Sequence, residues 1–343
     1  MTRQERKLEH LWHTVQADLT SADFSDVELV HNCLPETAYD DLDLSTTIAG
    51  IKLSQPLFIN AITGGVEDAQ IINRELAEVA RECGFALAVG SQMAALENKD
   101  FGKTYRVVRE IYPEGIIFAN IGAYADPDQA ARAVEMVEAD ALQIHLNVPQ
   151  ELMMKEGDRD FRGFTQRIAR IVKTVSVPVI VKEVGFGIAR EQAAVIQSLG
   201  AAAIDVGGKG GTNFMEIECR RAQQECCQQS VTEWGISTPL AILEARNGAP
   251  ELDIIASGGV NNGLLAAKSL ALGAKAVGIA GLAAKVLLSE GKEALKRRLQ
   301  NIVAELKLIM VMTGSPSLVE LQKIPVVITG KTGEWMKARE LVR

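Results

Sequence analysis

Four polar side chains of different kinds, His145, Asn147, Gln150 and Glu151, follow directly on the apolar run 141–144 (ALQI). If that run is a core strand, its end releases an imidazole, two carboxamides and a carboxylate at one rim. In a parallel α/β barrel that rim is where active sites are built. Carboxamides do not exchange protons near neutral pH, so the set suits ordinary acid–base work poorly. It points instead to chemistry carried in part by a bound group.

Those residues need a scaffold, and the chain supplies a regular one. Nearly continuous apolar runs fall at 57–62, 86–90, 116–121, 141–147, 178–183, 202–206, 253–257 and 276–280. Such runs are expected of parallel strands buried on both faces. Helical patterns lie between them at 68–83, 128–139, 163–175, 190–199, 238–247 and 261–272. Eight strand–helix repeats predict a (β/α)8 TIM barrel, with a doubly wound open sheet as the competing architecture. The chain reads as a single domain, 1–343, with an N-terminal extension over 1–56 and a long insert after strand six over 206–237. Residues 292–312 read as the last helix, and the polar tail 315–343 has no clear place.

The bulk composition narrows the class. The 343 residues are 47% hydrophobic and 23% charged, as in ordinary globular proteins. A net charge of −8 argues against nucleic acid as a partner. Five cysteines without a C-x-x-C pair read as reduced thiols rather than a disulfide framework or a zinc site. No run of about 18 apolar residues occurs and the stretch 3–9 is charged, so the expectation is a cytoplasmic protein without signal peptide or membrane span.

The expected strand ends carry further candidates. Thr63-Gly64-Gly65 follows strand one, Ser91-Gln92 strand two, and Asn120-Ile121-Gly122 ends strand three. Ser257-Gly258-Gly259 and Ala280-Gly281 close strands seven and eight. Glycine admits a phosphate close to the backbone and the next helix points N–H groups at it, so these two loops predict a phosphate site; taken singly, each glycine pair also fits a tight turn. The glycine-rich run 207–211 does not satisfy the Walker A pattern, and neither does Gly330-Lys331-Thr332, which has Pro325 where the first glycine belongs. Residues 207–213 fit a flexible loop whose amides and Thr212 hydroxyl meet a ligand. Lys182, at the end of a core strand, requires an anion: it pairs with Glu183 or Asp205, or stands beside an electron-rich cofactor ring. Glu151 caps the next helix or binds Mg²⁺ with a substrate phosphate, and His145 also fits a satisfied core histidine. Near the N-terminus, Leu8, Leu11, Trp12 and Val15 form one apolar helix face. Arg6, Lys7 and His10 fall on the other, as a solvated basic face or an anion clamp.

The segments R-K-x-E-H (6–10), I-T-G-G (62–65), G-S-Q (90–92), N-I-G-A (120–123), H-L-N-x-x-Q-E (145–151), K-E-V-G-x-G (182–187), D-V-G-G-x-G-G-T-N (205–213) and A-S-G-G (256–259) together resemble the type 2 isopentenyl-diphosphate isomerase family. They occur in the family's order over nearly the whole chain. H-L-N-x-x-Q-E and R-K-x-E-H are specific, whereas the glycine motifs fit any flavin barrel. The resemblance implies an FMN-dependent barrel that interconverts isopentenyl and dimethylallyl diphosphate by a 1,3-allylic proton shift. Reduced FMN would serve as acid and base, NAD(P)H as its reductant, and Mg²⁺ on the diphosphate, in a homotetramer or homo-octamer. By the same resemblance Ala61, Ile62, Thr63, Ser91, Asn120, Lys182 and Thr212 contact FMN, and Gly258, Gly259, Ala280 and Gly281 hold its phosphate. Arg6, Lys7, His10, Ser91 and Gln150 take the substrate, with His145, Asn147 and Gln150 also catalytic and Glu151 the Mg²⁺ ligand. The chain departs from some members in carrying Met93-Ala94-Ala95, without a basic residue, just after G-S-Q.

Two other classes compete. A flavin-dependent oxidoreductase of the 2-hydroxy-acid oxidase or dihydroorotate dehydrogenase type predicts net two-electron turnover. A non-catalytic phosphate-binding barrel predicts binding without turnover. The amide-rich strand-four cluster suits the isomerase better than either.

Overall fold

A computed structural model describes residues 20–221 and 229–343. Eight parallel strands close into a barrel in the order β10-β11-β4-β5-β6-β7-β8-β9. They are β4 (Leu57–Ile59), β5 (Ala86–Ala88), β6 (Ile117–Gly122), β7 (Ala141–Leu146), β8 (Val179–Glu183), β9 (Ala203–Asp205), β10 (Asp253–Ala256) and β11 (Ala276–Ile279). All eight lie within a residue or two of the expected runs, apart from the C-terminal ends. Residues 60–62 and 89–90 run past the regular strands toward the mouth, with Asn60 N and Val89 N still donating to Ile279 O and Phe118 O.

The alternation of side chains along each strand explains the barrel's filling. The inward residues nearest the strand starts are Phe58, Phe118, Ile180 and Ile255 from alternate strands, with Ala86, Ala141, Ala203 and Ala276 between them. Large residues thus face small ones, and Phe58 and Phe118 meet edge to face with centroids 5.6 Å apart. A hairpin from the N-terminal extension, β2 (Thr46–Ile48) with β3 (Ile51–Leu53), closes this end by burying Ile48 and Leu53 against the same cluster. One step further along, the inward positions turn polar: Asn60, Asn120, Gln143, Lys182, Asp205 and Ser257 are all buried. Gly278 belongs to this layer, and a Cβ there would lie 2.4 Å from Asn60 Nδ2, so only glycine leaves Asn60 its place.

The tail has a definite place. β1 (Val27–Leu29) pairs antiparallel with β12 (Val326–Ile328). The helix Gly330–Arg339 then docks through buried Glu244, which accepts from Trp335 Nε1 at 2.7 Å and Arg339 Nε at 2.9 Å. Asp26 accepts from Thr332 N (2.9 Å) and Oγ1 (3.1 Å), so a carboxylate of the chain itself occupies the start of that helix. This agrees with rejecting Gly330-Lys331-Thr332 as a nucleotide loop. The insert carries a helix, Phe214–Arg221, and helices at Lys103–Ile111 and Gly281–Glu290 also lie outside the sequence reading. Among the described cysteines, Cys33 and Cys83 are free. Among the described residues no helix is long and apolar enough to cross a membrane.

Candidate active site

The C-terminal mouth of the barrel opens into a cavity of about 490 Å³, within the range of small-molecule sites. Every described residue to which the resemblance gives a site role lines it, whereas the strand-end candidates Gly64, Gly65, Gln92, Ile121 and Gly122 do not. Ala61, Ile62 and Thr63 come from the loop after β4, Ser91 from that after β5, and Asn120 from β6. His145 lies in β7, Asn147 just beyond it, Gln150 and Glu151 in the short helix that follows, and Lys182 next to last in β8. Thr212, Gly258, Gly259, Ala280 and Gly281 complete the wall. Arg6, Lys7 and His10 lie outside the described residues.

The glycine end is built from backbone. Gly259 has φ +78, and a Cβ there would fall 2.0 Å from the carbonyl oxygen of Gly210. The position therefore needs glycine on two counts. The two neighbouring helix starts differ. The helix Gly263–Ala271 is capped by Asn262, whose side chain accepts from Leu265 N at 2.9 Å. The helix Gly281–Glu290 has no side-chain cap at Ala280, so its first N–H groups remain for an anion in the cavity. A Cβ on Gly281 would lie 2.6 Å from Thr212 Oγ1, which sets the Thr212 hydroxyl at that same helix start.

Lys182 resolves its two alternatives in favour of Asp205. Nζ lies 2.8 Å from Asp205 Oδ2 and 3.4 Å from Ser257 Oγ. Asp205 Oδ1 accepts from Ser257 Oγ as well. Glu183, next along the strand, faces the other way and accepts from the amides of Val184, Gly185 and Phe186 at 2.6, 2.8 and 2.6 Å. Burial pushes its pKa up to about 7, against the pull of those amides. Lys182 still lines the cavity, so pairing with Asp205 and facing a ligand are compatible.

The β7 end is built from side chains. Asn147 begins the helix Val148–Met153, and Pro149 is compatible with its first turn. One turn along, Glu151 accepts from Asn147 Nδ2 at 2.9 Å and from Asp158 N at 3.0 Å. It fastens the following turn instead of capping its own helix. Gln150 donates through Nε2 to Glu218 Oε1 at 3.2 Å, and Glu218 is held by Arg221, which also meets Glu156. His145 Nδ1 lies 2.8 Å from Asn120 Oδ1. Glu218 was not among the expected residues, because only 207–213 of the insert was given a reading and no element was assigned beyond it. Gln143 and Asn60 were also missed. Their signal was present: each is a carboxamide inside an apolar strand run, in phase with the inward positions.

The FMN-dependent dehydrogenase family model matches residues 147–327, which is 181 of 343 residues. Solved structures share the fold: one assigned as a lactate oxidase of Pediococcus acidilactici aligns with TM-score 0.68 at 14% identity, over 94% of each chain. A mandelate oxidase variant with an FMN adduct aligns with TM-score 0.63 at 15% identity, over 96% of this chain and 93% of its own. At such identities the likeness is one of fold. Two curated relatives are far more similar in sequence, both named isopentenyl-diphosphate delta-isomerase. The protein of Symbiobacterium thermophilum is 48% identical over 98% of this chain and 96% of its own, and that of a Geobacillus strain 47% identical over 99% and 97%. With a closed flavin-type barrel, a polar cluster at the end of β7 and near-full-length identity of this order, the chain belongs to the isopentenyl-diphosphate delta-isomerase family.

Proposed function

We propose that this FMN-dependent isomerase interconverts isopentenyl and dimethylallyl diphosphate in the cavity at the barrel mouth, by moving one proton on and another off the allylic carbons. The observation that carries the reading is the β7 cluster, rich in carboxamides and held in place by Glu218 and Asn120, beside an anion-ready helix start. The residues fit FMN. Its phosphate suits the uncapped N-terminus of Gly281–Glu290 with Gly258, Gly259, Ala280 and Thr212 around it. Ala61, Ile62, Thr63, Ser91, Asn120 and Lys182 line the wall available to the ring. Lys182 has three N–H donors and two partners in Asp205 and Ser257, which leaves one for a ring acceptor. When bound and reduced by NAD(P)H, FMN supplies exchangeable protons and an electron-rich face suited to cationic character at carbon.

The chain's own residues then bind and orient. An unactivated alkene is a weak base, so geometry must be tightly held. Gln150, buried and fixed through Nε2 by Glu218, orients the hydrocarbon end; Asn147 and His145 close the polar side. Glu151 offers a carboxylate whose oxygens are held by neutral donors. Among the described residues no group of three or more His, Cys, Asp or Glu could hold a metal. That fits Mg²⁺ carried largely by diphosphate and water, with Glu151 as the protein ligand. Thr20 lines the cavity and donates to Gly211 O at 2.9 Å, so the N-terminal extension enters at the mouth. This supports Arg6, Lys7 and His10, with Ser91, as the diphosphate clamp. Exposed apolar side chains such as Leu308, Met312 and Val319 fit burial between copies in a homotetramer or homo-octamer, and cytoplasmic action completes the reading.

An anaerobic assay with isopentenyl diphosphate, Mg²⁺ and FMN, with and without NADPH, tests it. Dimethylallyl diphosphate should form only in the reduced sample. Its absence from both samples would remove the proposal.

A further inference from the structure

One hydrogen-bonded chain crosses the polar layer of the barrel. It begins at Lys182, which can only donate, and at Asp205, which as a carboxylate only accepts. Asn60 must therefore turn Nδ2 to Asp205 Oδ2, at 2.7 Å. Its Oδ1 then accepts from Ala61 N at 2.9 Å and Gln143 Nε2 at 3.1 Å. Gln143 in turn presents Oε1 to Asn120 Nδ2 at 2.9 Å. Asn120 is left with Oδ1 toward His145 Nδ1, at 2.8 Å. Asn60, Asn120 and Gln143 are all buried, so a reversal of any one would set two donors or two acceptors face to face without water. One ion pair thus fixes three carboxamides, and the last of them requires a hydrogen on His145 Nδ1.

We propose that Gln143 is a positioning residue that carries orientation from the Lys182–Asp205 pair to His145, and so makes Nε2 the atom at which His145 gains or loses its proton. Gln143 is fully buried and acts only through its neighbours, whereas both ends of the chain, Lys182 and His145, line the cavity. With Nδ1 committed, the neutral ring is an acceptor at Nε2 and the imidazolium a donor there. The inference builds on His145 facing the ligand, as in the proposed function. The tautomer itself is independent of which substrate the cavity takes.

The test is ¹⁵N NMR of the histidine-labelled FMN holoenzyme without substrate, with His145 assigned by loss of its signals in His145→Asn. The neutral ring should carry hydrogen on Nδ1 and none on Nε2; the opposite tautomer in the unaltered protein overturns the proposal without recourse to a variant. Gln143→Met keeps the bulk but neither donates nor accepts as an amide does. It should give a mixture of tautomers and lower kcat about tenfold, the order seen when a partner behind an active-site ligand is lost, with KM and flavin absorbance unchanged. A folded, flavin-binding Gln143→Met with Nδ1–H intact overturns the relay. If that variant does not fold, Gln143→Glu retains the acceptor toward Asn120 and should keep Nδ1–H, and loss of that tautomer counts against the proposal. Because substrate is absent, a negative result here leaves the isomerase reading standing, and failure of that reading leaves the tautomer result intact.

Discussion

The two ends of the cavity are built from different materials. At the glycine end the cavity wall is main chain, shaped by the turns at Gly258 and Gly259 and the uncapped helix start at Gly281. At the β7 end it is side chains, each held by another side chain: Gln150 by Glu218, Asn147 by Glu151, and His145 by Asn120. Backbone recognises a phosphate whatever the rest of the molecule does, which is why a barrel of this kind serves many reactions. Lactate and mandelate oxidases share the fold at 14 and 15% identity. What makes a reaction particular must then reside at the side-chain end. Changes at the first end should remove the flavin and everything with it; changes at the second should spare the flavin and alter turnover.

The largest effect is expected from Gly259→Ala. The added Cβ meets the Gly210 carbonyl at 2.0 Å in a backbone with φ +78. Flavin should be lost on gel filtration, activity with it, and stability should fall by about 1–3 kcal/mol. A yellow, active variant would dissolve the contrast between the two ends. Next comes Gln150→Asn, which draws the amide back by one methylene from Glu218. Misplacement of that size should cut kcat on the order of 100-fold with the flavin absorbance intact. Unchanged turnover would take Gln150 out of the mechanism. Glu151→Gln should raise the Mg²⁺ needed for half-maximal rate by about tenfold, since a neutral amide is a poorer ligand. An unaltered Mg²⁺ titration would break the ligand assignment.

The smallest effect separates Lys182 from its neighbour on the opposite face. Glu183 has its pKa raised from 4.5 to about 7 by burial. Between those values the folded protein holds the proton more tightly than the unfolded chain, so this contribution to stability is full below the lower value and is lost as pH rises through the higher one. Thermal melts of the unaltered protein should therefore fall over that window relative to Glu183→Gln, with the same turnover in both. Parallel melting curves would remove the titration from Glu183.

Much of this was legible because parallel strands announce themselves. Runs such as 141–147 and 178–183 are largely apolar and begin with residues buried on both faces, and the residues at their ends are those at the mouth. The described residues given a site role, from Ala61 to Gly281, all reach one cavity for that reason. What was hidden depends on direction and on partners far along the chain. Gln143 sits within ALQIHL, and its role follows only when Asn60, 83 residues away, is seen to accept from it. Glu218 needed the insert to fold back onto the helix Val148–Met153. Lys182 had two carboxylates on offer, and strand alternation, which turns Glu183 outward and Asp205 inward, decided between them. The tail found its place through Asp26 and Glu244, more than 80 residues from the groups that they hold.

The central claim is that the cavity moves a double bond without net oxidation, and the most direct measurement counts reductant against product. Under anaerobic conditions with FMN, Mg²⁺ and isopentenyl diphosphate, NADPH consumption and dimethylallyl diphosphate formation would be followed together. The account predicts that NADPH is consumed only to reduce the bound flavin, after which product accumulates in large excess over reductant used. A one-to-one ratio of NADPH to product throughout the reaction would contradict it.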